Sequence, residues 1–387
     1  MAAPFANHQN EIYFRGAGGE RPPFTTDLGG LEEAARQALD PQAFGYVAGS
    51  AGSGSTARAN RAAFERWRIV PRMLRDVSER DLSTTVLGTP MPAPVLLAPI
   101  GVQTIVHPDG ELASARAATA TGLVFIHSTA AAHSIEQVAE ASGDGHRWYQ
   151  LYWPNDRDVA ASLIGRADSA GYAALVVTLD TFMMGWRPTD LDTAYLPFLQ
   201  GVGIANYLTD PAFNAPLPAD AQDFDKVFRW AGMFGNPSLT WADLAWLREQ
   251  TSLPIVLKGV LHPDDARAAI DAGVDGLVVS NHGGRQVDGA LAALDALPAV
   301  LDAVDGRMPV LLDSGVRTGA DVVKAVALGA AAVLYGRPYI YGLGLGGQAG
   351  VEHVVRCLLG ETDVTMALSG HCRLATLGPE VLVASPG

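Results

Sequence analysis

The chain has 387 residues, 48% hydrophobic and 18% charged, which supplies a large core and excludes a disordered or fibrous protein. Its formal net charge of −14 comes from 41 acidic and 27 basic side chains with no Lys/Arg cluster, so the electrostatic footprint of a nucleic-acid binder is missing. Cys357 and Cys372 form neither a C-x-x-C pair nor a disulfide framework, residues 1–14 show no secretory leader, and no run approaches the roughly 20 apolar residues of a membrane span, so a cytoplasmic protein is expected.

Residues 1–93 precede the first strand-like run and contain a Gly/Ser-rich stretch, 48–55 (AGSAGSGS), of the kind that is usually flexible. A rhythm then sets in. Short apolar runs occupy 94–99 (PVLLAP), 123–127 (LVFIH), 148–152 (WYQLY), 174–180 (ALVVTLD), 254–259 (PIVLKG), 276–281 (GLVVSN), 309–313 (PVLLD) and 331–336 (AAVLYG). Ala-rich amphipathic segments lie between them at 111–121, 134–141, 156–170, 264–272, 291–304 and 319–328. Continuous apolar strands alternating with helices imply a parallel sheet covered by helices, and eight such units predict a closed (β/α)8 TIM barrel. One domain spanning 1–387 is expected, with an N-terminal extension (1–93), a barrel core (94–350) and a C-terminal helical region (351–387). Residues 185–241, rich in Pro, Asn, Asp and aromatics, are too long for an ordinary βα connection and are expected to form a lid after strand four.

Chemistry in this fold sits at the C-terminal ends of the strands. Polar groups appear where the apolar runs stop: Gln150, Tyr152, Thr178, Asp180, Lys258, Ser280, His282, Asp313 and Arg337. The strongest local signal is 280–288 (SNHGGRQVD), in which two glycines allow a tight turn between His282 and Arg285. A histidine titrating near neutrality can act as a base, and a guanidinium can grip a carboxylate with two parallel hydrogen bonds. After strands seven and eight, 313–317 (DSGVR) and 335–338 (YGRP) pair glycines with Arg317 and Arg337 where barrels commonly bind phosphate. The G-x-G-x-x-G match at 342–347 follows the eighth strand and opens no βαβ unit, so it reads as a helix lead-in. No H-x-x-x-H, H-E-x-x-H or G-x-S-x-G motif is present, so neither a metal site nor a serine hydrolase is expected.

Together, 280–288, 313–319, 149–152 and 178–180 resemble the FMN-dependent 2-hydroxy acid dehydrogenase/oxidase family, from about Glu11 to near the C-terminus. Within it, 10–13 (NEIY), 71–74 (PRML), 98–101 (APIG), 185–188 (GWRP) and 206–211 (NYLTDP) resemble the L-lactate 2-monooxygenase branch. The resemblance implies FMN, a small 2-hydroxy acid with O2, and a homo-oligomer, a tetramer or higher. It makes His282 the base, Asp180 its orienting carboxylate and Lys258 the cation beside the flavin N1. Arg187 and Arg285 would clamp the substrate carboxylate, with Tyr46 and Tyr152 hydrogen-bonding the substrate. Pro99, Ile100, Gly101, Ser128, Gln150, Tyr152, Thr178 and Ser280 match flavin-ring contacts, and Asp313, Ser314, Gly315, Arg317, Gly336 and Arg337 the ribityl-phosphate site. Ala130 stands where glycolate-oxidase-like members carry Trp, which implies a wider pocket, and Gly101 where oxidases of the family typically have Ala. Tyr195 is expected to face the pocket.

Overall fold

Every apolar run becomes a strand in the computed structural model, which describes residues 4–385; residues 1–3 and 386–387 of the expected domain lie outside it. The strands are β1 (Val95–Leu97), β2 (Val124–Ser128), β3 (Arg147–Leu151), β4 (Leu175–Thr178), β5 (Ile255–Val260), β6 (Gly276–Val279), β7 (Val310–Leu312) and β8 (Val333–Tyr335). All pair in parallel with their sequence neighbours, and β8 returns to β1 with Val333, Leu334 and Tyr335 opposite Val95, Leu96 and Leu97, closing the barrel.

The helices α1 (Gly110–Thr121), α2 (Ile135–Ser142), α3 (Arg157–Ser169), α4 (Asp243–Glu249), α5 (Pro263–Asp271), α6 (Ala293–Val304), α7 (Gly319–Ala327) and α8 (Arg337–Leu368) each precede the next strand or follow the last. Their starts are written locally. Ser134 and Thr318 form reciprocal capping boxes with Gln137 and Asp321, Asp156 accepts from the first turn of α3, and Pro263 occupies the first turn of α5.

Side chains alternate across each strand, so one set faces the helices and the other fills the barrel. Leu96, Val124, Ile126, Trp148, Val176, Val256, Val278, Leu311 and Leu334 make the interior layers, all nearly fully buried. A hairpin of 84–86 and 89–91 plugs the N-terminal end, where Met91 packs on that layer and Thr89 Oγ1 accepts from the Trp148 indole N–H at 3.0 Å. Two residues beyond the upper interior layer, the inward positions are Ala98, Ser128, Gln150, Thr178, Lys258, Ser280, Asp313 and Gly336. The pleat thus turns an apolar plug into a largely polar rim within one repeat.

Three segments lie outside the barrel repeat. The Gly/Ser stretch is anchored: the Asp288 carboxylate accepts from Ser53 N (2.6 Å), Ser53 Oγ (2.8 Å) and Thr56 N (3.2 Å), and Ala51 N donates to Gly284 O at 2.9 Å. Residues 185–241 fold into short helices at Pro188–Asp192, Pro197–Gln200, Ala205–Leu208 and Pro211–Asn214 and a longer one at Asp223–Met233. The C-terminal region is helical to Leu368, with a break at Gly346 and Gly347 where two helices meet, so the 342–347 glycines end the first and lead into the second. After a 3₁₀ turn that Pro379 opens, Leu382–Ala384 pairs antiparallel with Trp67–Ile69. No helix among the described residues is long and apolar enough to cross a membrane.

Truncating the interior layer should be costly because the plug cannot collapse around a gap. Leu96→Ala is expected to lower unfolding stability by about 2–5 kcal/mol, measured by chemical denaturation against the parent protein.

Candidate active site

Around the rim the polar residues bond to one another in two groups. Ser128 Oγ donates to Gln150 Oε1 (2.8 Å), whose Nε2 donates to Thr178 Oγ1 (3.0 Å). On the other side, Lys258 Nζ lies 2.9 Å from Ser280 Oγ and 2.7 Å from Asp313 Oδ2, and Ser280 donates to that same oxygen at 2.7 Å. Burial favours loss of the Lys258 proton, but the charges of Asp313 and Asp180 outweigh it and hold its pKa above the ordinary lysine value. Lys258 is therefore a fixed cation in the cavity floor. It is poised to stabilise negative charge that develops against it.

His282 follows β6 in a left-handed backbone conformation (φ 58°), an uncommon state for a non-glycine residue. The surrounding bonds impose it: its own N–H donates to Ser280 Oγ at 3.0 Å, and Gly283 N donates to Ser314 Oγ at 2.9 Å. The imidazole is thereby directed at Asp180, whose Oδ1 lies 2.9 Å from Nδ1, while Nε2 faces the cavity 3.4 Å from the Tyr152 hydroxyl. Thr181 joins the pair, with its Oγ1 3.0 Å from Asp180 Oδ1 and 3.1 Å from His282 Nδ1. Burial lowers the His282 pKa from the ordinary imidazole value against the opposing pull of Asp180, which favours the neutral ring. Burial pushes Asp180 up, but the charge and hydrogen bond of His282 and the charge of Lys258 keep it below the ordinary carboxylate value. Nδ1–H thus points at Asp180 and Nε2 keeps its lone pair.

Arg187, Arg285, Arg317 and Arg337 all line one cavity with His282. Their side-chain hydrogen bonds go to neutral oxygens. Arg187 bonds Arg285 O and Gln286 Oε1, Arg285 bonds Tyr46 O and Gly49 O, Arg317 bonds Val316 O, and Arg337 bonds Val47 O, Gly283 O and Gly49 O. Burial, with the charges of Arg187 and Arg337, pushes Arg285 down to about 10. Arg337 is lowered by burial and by Arg317. Cations held this close without carboxylates form a site for anions.

Of the sequence-derived candidates, Tyr46, Pro99, Ile100, Gly101, Tyr152, Arg187, Lys258, His282, Arg285, Asp313, Ser314, Gly315, Arg317, Gly336 and Arg337 line this cavity. Ser128, Gln150, Thr178, Ser280 and Asp180 stand just behind, joined through the bonds described above. Tyr195 lies outside the lining and sets its ring edge against Tyr46, with centroids 6.4 Å apart. Ala130 lines the cavity as well. Sequence reasoning missed Thr181, Met184, Phe198 and Phe234, which also line it. Thr181 directly follows a singled-out aspartate; the other three come from a region with no periodic pattern. The histidines are less scattered than in sequence: potential ligand atoms of His8, His353 and Cys357 lie within 4.8 Å of one another. His353 Nε2 is 3.0 Å from the Thr25 carbonyl oxygen, to which it must donate, so that nitrogen offers no lone pair to a metal.

Fold and rim together define a barrel enzyme that binds an anionic cofactor and substrate beside a neutral histidine. The sequence profile of the FMN-dependent dehydrogenase family matches residues 35–384. An FMN-dependent alpha-hydroxy acid dehydrogenase of Penicillium citrinum is 45% identical, over 99% of this chain and 97% of its own. An L-lactate oxidase of Lysinibacillus sphaericus is 45% identical over 94% of each chain. Crystalline mandelate oxidase superposes with a TM-score of 0.83 at 38% identity, covering 94% of this chain and 99% of its own. The chain belongs to the FMN-dependent dehydrogenase family.

The residues present suit FMN. Arg317 and Arg337 with the 313–317 turn offer charge and backbone donors for a phosphate, and Gln150 and Lys258 offer a donor amide and a cation to a ring system. Arg337→Met is expected to weaken FMN binding roughly 10- to 100-fold, the worth of a charged hydrogen bond, read from flavin absorbance retained after dialysis. His282→Gln and Asp180→Asn should keep FMN but lose about 10²–10⁴-fold in turnover. If His282 acts as a base in its neutral form, the lowering of its pKa by burial should leave kcat/KM flat near pH 7. It should fall only as pH drops through that lowered value; a limb rising between pH 7 and 8 would contradict the assignment.

Proposed function

We propose that this protein oxidises small L-2-hydroxy acids, with L-lactate as substrate and O2 as acceptor, giving acetate, CO2 and water. When bound, FMN supplies the two-electron sink of the reaction. Arg187 and Arg285 bind the substrate carboxylate, and Tyr46 and Tyr152 place their hydroxyls beside it. His282 Nε2 takes a substrate proton, and Asp180 holds the ring orientation and stabilises the imidazolium formed. Lys258 holds positive charge beneath the cofactor site.

The supporting observation for the monooxygenase outcome is the seam between the first two βα loops. A Cβ on Gly101 would lie only 2.3 Å from the Ala130 carbonyl oxygen, so glycine lets the two backbones close. Val102 N donates to that oxygen at 2.9 Å. A sealed wall retains the 2-keto acid with the hydrogen peroxide formed from O2, and peroxide then decarboxylates it in place. The 185–241 region completes the enclosure with Phe198 and Phe234. Assembly as a homo-oligomer in the cytoplasm accompanies this reading.

A second reading, an oxidase that releases 2-keto acid and hydrogen peroxide, draws on the lactate and mandelate oxidase relatives. It also draws on an aromatic wall in which Tyr152 and Phe198 pack against Phe234 with centroids at 5.4 and 6.1 Å. That wall suits a larger alkyl or aryl side chain. Product analysis under air separates the two: acetate with little peroxide from L-lactate supports the first, and equimolar pyruvate and peroxide the second. Gly101→Ala must part the seam, so the peroxide yield should rise; an unchanged partition sinks the role given to the seam.

A further inference from the structure

Gln286 of the 280–288 motif has no role in the chemistry above. Gln286 uses its full hydrogen-bonding capacity on a single target. Its Nε2 donates to Asp180 O (2.7 Å) and Met183 O (2.9 Å), and its Oε1 accepts from Gly185 N (3.2 Å) and Arg187 Nη2 (2.8 Å). All four partners lie between residues 180 and 187, the root of the long insertion after β4. We infer that Gln286 is a positioning residue for the substrate carboxylate clamp, fixing Arg187 and the insertion root against the turn that carries His282 and Arg285.

Two further observations tie the same surfaces together. Arg187 Nε donates to Arg285 O at 3.0 Å, so the two guanidinium-bearing residues are spaced by one backbone contact. A Cβ on Gly185 would meet Arg285 O at 2.5 Å and Gln286 O at 2.7 Å, so the root lies directly on this turn. Only a primary amide of this length satisfies the arrangement. A carboxylate cannot donate to the Asp180 and Met183 carbonyls, and an ammonium cannot accept from Gly185 and Arg187. Without Gln286, Arg187 Nη2 loses its anchor and the guanidinium gains freedom that substrate binding must remove.

The inference rests on the proposed 2-hydroxy acid oxidation, and the experiment separates the two. Gln286→Met and Gln286→Glu are purified with FMN content and thermal unfolding measured, and KM and kcat are determined for L-lactate and for its uncharged methyl ester. Inactivity of the parent protein on every 2-hydroxy acid overturns the functional reading itself. With an active parent, Gln286→Met is expected to retain FMN and raise KM for L-lactate about 10- to 100-fold, with a smaller change in kcat and little change for the ester. Gln286→Glu, which keeps the Arg187 contact, should lie between. A double-mutant cycle with Arg187→Met should be strongly non-additive, because Gln286 acts through that guanidinium. Equal losses for acid and ester, or additive effects in the cycle, overturn the inference. If Gln286→Met does not fold, the Gln286→Glu acid-to-ester comparison decides alone.

Discussion

Uncompensated positive charge in a confined space is the constraint from which most of this architecture follows. Arg187, Arg285, Arg317 and Arg337 line one cavity with Lys258, and of these only the lysine forms an ion pair with a carboxylate among the described residues, that of Asp313. Such a cluster is stable only because carbonyl oxygens are aimed at it. Tyr46, Val47 and Gly49 supply them from the end of the Pro41–Ala48 helix, whose negative end faces Arg285 and Arg337. The N-terminal extension is therefore part of the electrostatics of the site as well as a cover. The remaining deficit is met when anionic groups of cofactor and substrate arrive.

The barrel supplies the other half of the design. Its interior is a plug of aliphatic side chains and Trp148, and the same alternation that builds the plug delivers Ser128, Gln150, Thr178, Lys258, Ser280 and Asp313 to a common level above it. Those groups are held by one another. Rotamer freedom at the rim is spent during folding, and the reacting groups stand ready before any ligand binds. His282 completes the picture at a cost: a left-handed backbone at a non-glycine residue, tolerated because Ser280, Ser314 and Asp180 together leave it no alternative.

Much of this could be read from residues alone. Parallel strands buried on both faces appear as uninterrupted apolar runs, and chemistry collects where the runs end, so the eight strands and the His282, Arg285, Lys258 and Arg337 positions were visible. What escaped has a common physical origin. Phe198 and Phe234 come from an insertion whose short helices impose no period, so nothing marks which side chain turns inward. Asp288 anchors Ser53 across 235 residues, and no local pattern can announce a partner that distant. The strand at Leu382–Ala384 is three residues long and exists because Trp67–Ile69 is there to receive it. Gly101 looked like one missing methyl, whereas its neighbour Ala130 shows that the position governs how closely two loops approach.

The bond from Arg337 Nε to the Val47 carbonyl spans 290 residues of chain. During synthesis the helix that carries Val47 emerges early, yet the cation that holds it is polymerised only after all eight strands are complete. Arg285, made 52 residues earlier, can reach the Tyr46 and Gly49 carbonyls, but the Val47 carbonyl waits for Arg337. Maturation of the pocket is thus a late, non-local event, of the kind that slows folding when most of the chain must be in place before the decisive contacts form.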